Sequence, residues 1–240
     1  MKVVRSGFCL MLLIGCGGRS FGPDHPATVE EQANAQAATS SLTTFNADAI
    51  DVDAFAGMAS AVYGVANSSY ATSAVLRPRA TYTDCATVSA DRIDYNCTIT
   101  DTTSTSTSTT TLTGYVSRTI SGDSRSWHMD LKLSTSDTSP GTSINVSMHL
   151  TGNVTVAGGV IDGSLGLGAT VHVMNGSQTV DGTVNASVSY NKVTYDATQS
   201  CATGGNIVVD LDANANGQSV SRAVRYTFTG CHMITVAVSN

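Results

Sequence analysis

The sequence predicts an all-β protein: an antiparallel meander that forms a curved sheet or a partly closed barrel, with one N-terminal amphipathic helix. After Arg77, apolar residues recur at every second position, which is the period of strands with one buried face. Pairs such as Gly158-Gly159 and Asn216-Gly217 separate these runs and are typical of tight hairpin turns. Counting the runs predicts about nine to eleven strands.

The helix is predicted over residues 48–66, ahead of the strands. Apolar and small residues recur there at intervals of three and four, namely Val52, Phe55, Ala59, Val62, Tyr63 and Ala66. A face of small residues can pack closely on a sheet. Residues 17–45 show no sustained apolar period, which is typical of a flexible tether, although transient helix can form around residues 30–38.

Matching the apolar faces across the turns predicts strand registers. A two-residue turn at Gly158-Gly159 predicts the pairs Val156/Ile161, Leu150/Leu167, Val146/Val171 and Ile144/Val173. The Asn216-Gly217 turn predicts the pairs Ile207/Tyr226 and Val209/Val224. A turn at Asn175-Gly176 predicts the pairs Val171/Val180, Leu167/Val184 and Ile161/Tyr190.

Two further loops are predicted. A four-residue loop from Gly122 to Arg125 places Ile120 opposite Trp127 and Val116 opposite Leu131. The run from Thr102 to Thr111 is almost pure Ser and Thr, which indicates a long solvated hairpin loop.

The same alternation leaves two other architectures open. A sandwich of two sheets shows the same period as a curved single sheet. A transmembrane barrel also has alternating strands and short turns, but aromatic residues make up only 6% of this chain and form no girdle pattern. The membrane barrel therefore ranks low.

Charge excludes one class of partner. The chain has a formal net charge of −6, only 12% of its residues are charged, and no basic cluster occurs. Nucleic acid is therefore not an expected partner.

The N-terminus carries a basic start, a short apolar run and a cysteine. Lys2 and Arg5 precede an apolar run over residues 8–14, far shorter than the ~20 residues of a spanning helix. The run ends in Leu13-Ile14-Gly15-Cys16, which resembles the lipobox of bacterial lipoproteins. The resemblance implies a signal peptide over residues 1–15, acylation of Cys16, a lipid-anchored tether over residues 16–45 and a single domain over residues 46–240.

The resemblance also implies a location. Gly17 stands where an aspartate would favour inner-membrane retention in many species, so the bacterial outer membrane is expected, and the lipid is the contact with that membrane. Two or three acyl chains are enough for stable anchoring. The alternative is an ordinary secretory signal with a chance cysteine, and in both cases the chain is exported.

Export predicts disulfides. With Cys9 removed and Cys16 acylated, four cysteines remain: Cys85, Cys97, Cys201 and Cys231. Three connectivities are possible, and proximity in sequence favours Cys85–Cys97 and Cys201–Cys231. A hairpin centred near Asp91 places the first pair directly opposite, whereas the second requires a bulge at Gly204-Gly205. A zinc site is the rival, but no Cys-x-x-Cys spacing occurs.

One segment is similar to a calcium loop. Asp212, Asn214 and Asn216, followed by Gly217, match the first half of an EF-hand loop. Ala223 occupies the position of the bidentate glutamate, and a hairpin turn explains Asn216-Gly217 without a metal. These three residues are thus the one calcium candidate, and no other metal or cofactor is expected.

Catalytic patterns are absent from the sequence. His128 and His149 form a metal pair only if their strands align in one particular register; a solvated polar face is the favoured interpretation. Gly122-Asp123-Ser124 is similar to the nucleophile motif of GDSL hydrolases, but the Asp-x-x-His that this chemistry needs is missing, and turn residues account for the tripeptide.

We therefore expect a non-enzymatic, lipid-anchored cell-envelope protein with a structural or binding role. The partner of its polar face is expected to be a polysaccharide or another surface protein. The alternative is a carrier of lipid or another hydrophobic ligand, which rests on analogy between folds alone. An enzyme ranks third, because no nucleophile and base are paired in the sequence.

Overall fold

The computed structural model describes residues 20–43 and 86–239. These residues form one antiparallel sheet and one helix, α1, which spans Val29–Thr43. The strands are β1 (His25–Pro26), β2 (Ala86–Val88), β3 (Arg92–Thr102), β4 (Thr107–Ser121), β5 (Ser124–Ser139), β6 (Thr142–Ala157), β7 (Val160–Asn175), β8 (Gln178–Asp196), β9 (Cys201–Ala215), β10 (Gln218–Gly230) and β11 (Met233–Val238).

The strands form an open meander. β2 to β11 lie side by side in chain order, and β1 pairs with the outer edge of β11. β1 and β2 are the two edges of the sheet, which is not closed into a barrel. The prediction of an all-β meander with a helix is therefore confirmed, and the sheet is open rather than partly closed.

One face of the sheet is mainly apolar. Its buried side chains form two clusters: one contains Ile93, Tyr95, Cys97, Val116, Met129, Leu131 and Leu150, and the other contains Val154, Ile161, Tyr190, Val193, Ile207, Phe228, Ile234 and Val236. We call this side the apolar face. The alternate residues, mainly Ser, Thr, Asn, Asp and His, point to the other side, which we call the polar face.

Helix α1 packs on the apolar face through Ala35, which lies in the second cluster. Thr28 begins the helix with a capping box: its backbone N–H donates to Glu31 Oε2 (2.8 Å), and the Glu31 N–H donates to Thr28 Oγ1 (3.3 Å). The Thr28 N–H and the Thr28 hydroxyl both donate to the Glu31 carboxylate and so lower the pKa of Glu31. Ala35 and Thr39, one turn apart, are buried.

This helix differs from the expectation for residues 16–45, which predicted a tether with at most transient helix. The cap and the contact with the sheet stabilise a segment that has no strong apolar period of its own. The predicted helix over residues 48–66 lies outside the described residues.

Two predicted registers are confirmed. Val156 pairs with Ile161 and Leu150 with Leu167 across Gly158-Gly159, and the other two predicted pairs of this hairpin are also present. Ile207 pairs with Tyr226 across Asn216-Gly217. In both turns the two central residues have positive φ, as type I′ turns require.

Two predicted registers are wrong by two residues. β7 and β8 turn at Gly176-Ser177, so Val171 pairs with Gly182 instead of Val180. β4 and β5 turn at Gly122-Asp123, so Val116 pairs with Met129 instead of Leu131. In each turn the first central residue is a glycine with positive φ, as in type II′ turns. Because the shift is even, every side chain keeps its predicted face.

The predicted Ser/Thr loop is shorter than expected. β3 continues to Thr102 and β4 begins at Thr107, so only residues 103–106 lie between the strands. Thr is β-branched and favours strands. Its hydroxyls also join across the strands, as between Thr100 and Thr109, whose Oγ1 atoms lie 3.3 Å apart.

The Cys201–Cys231 disulfide is confirmed, with the two Cα atoms 5.5 Å apart. The bulge at Gly204-Gly205 was predicted for the β9–β10 pairing. The structure has register shifts beside Gly205, whose φ is +79°, in the β8–β9 pairing instead. Cys97 is disulfide-bonded as well, and its predicted partner, Cys85, lies outside the described residues. Ala86 pairs with Tyr95, which places the β2–β3 register one residue away from the one predicted.

Candidate functional site: a groove on the polar face

A groove crosses the polar face over strands β4 to β8. Its deeper part has a volume of about 470 Å³, and an adjoining part of about 310 Å³ shares four of its residues. We call the two parts together the polar groove. The polar-face residues of the deeper part are Thr111, Thr113, Lys132, Ser134, Ser147, His149, Gly168, Thr170, Thr183 and Asn185.

Five of these residues form a continuous line perpendicular to the strands. The registers pair Thr111 with Ser134, Ser134 with Ser147, Ser147 with Thr170 and Thr170 with Thr183. We call these five residues the hydroxyl row. Ser147 Oγ and Thr170 Oγ1 are 2.6 Å apart, and the hydroxyls of Thr111 and Ser134 also share a hydrogen bond. Each strand therefore supplies one hydroxyl to the row.

A second line runs beside the hydroxyl row and contains a gap. The registers place His149 opposite Gly168 and Gly168 opposite Asn185. Gly168 has no side chain, so the backbone of β7 forms the floor of the groove there. A Cβ atom at this position would lie 3.3 Å from Asn185 Oδ1, so the amide borders the gap.

Charged groups border the groove in pairs. His149 Nε2 lies 2.8 Å from Asp130 Oδ1, and His172 Nδ1 lies 2.6 Å from Asp181 Oδ1. Lys132 pairs with His149 across β5 and β6 and is exposed. Acidic and basic side chains thus lie next to each other, and no cluster of like charges lines the groove.

Two other charged clusters flank the open part of the polar face. Arg92 donates to Asp94 (2.7 Å) and covers the ring of Tyr115, with Cζ 3.9 Å from the ring centroid. The hydrogen bond from Arg92 lowers the pKa of Asp94 and raises that of Arg92. At the other edge, Arg225 binds Asp24 (3.1 Å) and covers the ring of Phe21, so the N-terminal segment covers the polar face near β10.

The register that would align His128 with His149, which was the less favoured interpretation of the sequence, does not form. His128 pairs with Asn153, and His149 pairs with Lys132, because the β5–β6 turn at Pro140-Gly141 sets a different register from the one that would align the two rings. In the described part of the chain, one group of acidic, Cys and His side chains is close enough for a metal: Cys201, Cys231 and His232. Its two sulfur atoms are bonded to each other, so they do not form a zinc site.

The calcium candidate residues lie along a hairpin. Asp212 and Asn214 are alternate residues of β9, which in a strand are roughly 6.6 Å apart. Asn214 Nδ2 donates to Ser219 Oγ (2.7 Å), and Asn216 Oδ1 accepts from the N–H of Asp181 (3.3 Å). These contacts hold the hairpin, whereas a calcium loop would wrap its oxygen atoms around one centre.

Gly122-Asp123-Ser124 lies in a turn, as interpreted from the sequence. Gly122 and Asp123 are the turn residues, and Ser124 begins β5 opposite Ser121. A strand, rather than the helix of a nucleophile elbow, follows the turn.

The sequence predicted a Ser/Thr/Asn-rich face but did not single out the groove within it. Four residues of the groove, Lys132, Gly168, Thr170 and Asn185, come together only when three successive turns are predicted correctly. The predicted β4–β5 and β7–β8 registers were each wrong by two residues. A usable signal is the alternation Gly166-x-Gly168, because two glycines on the polar side of one strand leave a gap in that face.

Comparison with protein-family models, curated proteins and solved structures found no match for this chain. Within residues 20–43 and 86–239, no helix is both long and apolar enough to cross a membrane. Cys16 lies outside the described residues.

Proposed function

We propose that the protein is a non-enzymatic, lipid-anchored protein of the bacterial outer membrane that binds a polar partner in the polar groove. The groove is the observation that carries this proposal. It is concave, it is open to solvent and it lies on the side of the sheet that helix α1 does not cover. Ligands bind preferentially in concavities, where convergent polar groups fix their orientation.

The packing of the two faces supports the same choice. α1 contacts the apolar face next to Val154, Tyr190 and Ile207, so that part of the apolar face is already occupied. In the part of the chain that the structure describes, the polar face between β4 and β8 is uncovered, so it can receive a partner. A carrier of lipid stays the alternative prediction, without a structural observation in its favour.

The hydrogen bonds of the groove support a binding role over a catalytic one. A hydroxyl nucleophile needs a base within hydrogen-bond reach. Ser147 and Thr170 bond to each other, and His149 and His172 each bond to an aspartate. The hydroxyls and the imidazoles thus belong to separate pairs.

The lipobox supports the anchor. Replacing Cys16 with serine removes the acylated thiol, and we expect Cys16→Ser to move the protein from the membrane fraction to the soluble fraction and to abolish labelling with a radioactive fatty acid. Cys9→Ser, inside the signal peptide, is the matched control and keeps both properties. Membrane retention and labelling of Cys16→Ser would contradict the anchor.

Retention on envelope material tests the groove. Ser147 is an exposed residue at its centre, so Ser147→Trp fills the groove with a bulky side chain. We expect purified Ser147→Trp to lose cosedimentation with isolated cell envelopes. Ser164→Trp, an equally exposed serine of the polar face outside the groove, is expected to cosediment like the wild type. Equal cosedimentation of all three proteins would overturn the proposal.

A further inference from the structure

We infer that the partner of the polar groove is a neutral polysaccharide, held with its chain running across the strands along the hydroxyl row. This inference rests on the proposed function and names its ligand class. Three properties of the groove carry it: its hydrogen-bonding groups, its charge and its floor.

The hydroxyl row offers the hydrogen bonds that a glycan needs. A hydroxyl both donates and accepts, so a line of them can match sugar hydroxyls in either sense. Neighbouring strands lie about 4.8 Å apart, so the row from Thr111 on β4 to Thr183 on β8 spans roughly 19 Å. An extended glycan presents its own hydroxyls at a regular interval along a comparable length. The row therefore suits a repeating polar chain better than a single small molecule.

Charge excludes the polyanions. Binding of a uronate, sulfate or phosphate polymer requires clustered Arg or Lys. Here the one lysine of the groove, Lys132, lies opposite His149, whose ring pairs with Asp130. His172 likewise pairs with Asp181, and the whole chain has a net charge of −6. A neutral chain meets no electrostatic penalty in this groove.

The lining also disfavours a protein partner. The centre of a protein interface is rich in aromatic and apolar side chains. The polar-face residues that line this groove include no Phe, Tyr or Trp, and their polar groups are hydroxyls, amides, two imidazoles and one ammonium group. Without an aromatic side chain to stack on the sugar rings, each groove binds the polysaccharide weakly. Retention on a polymer would therefore depend on many lipid-anchored copies of the protein that bind it at the same time.

Gly168 gives the chain room to approach. It lies between His149 and Asn185, where any other residue would project into the groove. Its φ is not in the left-handed region, and the nearest atom to an added Cβ belongs to the flexible Asn185 side chain. The backbone conformation at position 168 therefore does not require a glycine. Only the absence of a side chain keeps the floor of the groove open there.

The first experiment uses Gly168→Val. The β-branched side chain suits a strand and fills the floor without a backbone clash. We expect it to weaken binding of the purified full chain to neutral oligosaccharides by about tenfold or more, measured by calorimetry and on a glycan array. The array carries gluco-, manno-, galacto- and chito-oligosaccharides, with heparin and polygalacturonate as anionic probes. Gly182→Val, on the apolar face of β8, is the matched control and retains binding.

The second experiment removes hydroxyls. We expect Ser147→Ala combined with Thr170→Val to weaken binding by about tenfold, because two groups of the row lose their hydrogen bonds. Ser126 and Thr155 form the same kind of cross-strand pair (2.9 Å) outside the groove, so Ser126→Ala with Thr155→Val is the control. Circular dichroism and thermal melting identify a variant that has lost its fold. In that case the comparison of Gly168→Val with Gly182→Val decides.

The outcomes separate the inference from the proposed function. If Ser147→Trp abolishes envelope binding but protease, and not periodate oxidation, destroys the binding partner in the envelopes, the groove binds a protein and the glycan inference is wrong. Binding to the anionic probes alone, or to no oligosaccharide on the array, also overturns the inference. If Ser147→Trp has no effect on envelope binding, the proposed function itself fails.

Discussion

The hydroxyl of Tyr190 donates a hydrogen bond to the backbone carbonyl of Ala38, 3.4 Å away, and so joins the middle of the sheet to helix α1. The Tyr190 side chain is buried, and burial raises its pKa to about 12 because the ionised phenolate is poorly solvated there. The helix contact is therefore sensitive to alkaline pH.

The first prediction concerns that pH dependence. Unfolded tyrosine ionises near pH 10, and folded Tyr190 near pH 12. Its contribution to the free energy of unfolding is complete below pH 10 and is lost as the pH rises from about 10 to about 12. Between these pH values we expect the free energy of unfolding of the wild type to fall by about 2 to 3 kcal/mol more than that of Tyr190→Phe. Urea denaturation at a series of pH values measures the difference, and parallel curves would contradict it. Tyr95 and Tyr226, whose pKa values are also raised by burial, are common to both proteins.

The second prediction concerns the disulfide between Cys201 and Cys231. It closes a segment with a sequence separation of 30 residues, which restricts the unfolded chain. We expect the double replacement of both cysteines with alanine to lower the free energy of unfolding by about 3 to 4 kcal/mol. Urea denaturation without reductant measures it, since the Cys97 disulfide then stays intact in both proteins. A loss below about 1 kcal/mol would mean that the bond constrains little.

The third prediction concerns Gly163, where two strands approach closely. Its φ is +127°, and an added Cβ would lie 2.0 Å from the carbonyl oxygen of Asn153. We expect Gly163→Ala to destabilise the fold by about 3 kcal/mol or more, because the backbone of β6 or β7 must shift. Gly182→Ala is the control, since its nearest contact, Asn214 O, lies at 3.6 Å. Thermal melting compares the two, and equal melting temperatures would contradict the prediction.

The fourth prediction concerns two glutamines one turn apart on α1. Gln32 Nε2 donates to the carbonyl of His232 (2.8 Å), whereas Gln36 Nε2 is buried with no hydrogen-bond partner in the described part of the chain. We expect Gln36→Leu to raise the free energy of unfolding by about 1 kcal/mol, because it removes an unsatisfied polar group. Gln32→Leu, with the same change in helix propensity, is expected to lower it. Urea denaturation measures both variants, and a lower free energy of unfolding for Gln36→Leu than for Gln32→Leu would contradict the prediction.

Much of the sheet was predictable because its two faces differ so strongly. The alternation assigned residues such as Leu150 and Leu167 to the apolar face, and registers across type I′ turns followed from Gly-Gly and Asn-Gly pairs. Where Asn175 precedes Gly176, the sequence allowed two turns, and the type II′ turn at Gly176-Ser177 formed instead. The alternation of apolar and polar residues could not distinguish the two turns, because the registers differ by two residues and every side chain stays on the same face.

The helix and the groove were harder to predict for different reasons. α1 buries Ala35 and Thr39, one small and one polar, so its sheet-facing side leaves no apolar period in the sequence. The groove depends on aligning Ser147 and Thr170 with residues on three other strands, and an error at any turn moves the row. Its lining residues are common Ser and Thr, which single out no site until they are placed together.

The order of the strands has a mechanical consequence. The strands pair in chain order except for β1, so each gains its contacts from the strands before and after it, much like a repeat protein with nearest-neighbour coupling. The disulfide-bonded cysteines lie on opposite sides of the sheet: Cys97 is on β3, and Cys201 at the start of β9 is bonded to Cys231 in the turn between β10 and β11. In the described part of the chain no disulfide joins the strands from β4 to β8. The part of the sheet that carries the groove is therefore held by strand pairing and side-chain packing, with a disulfide-bonded segment on either side of it.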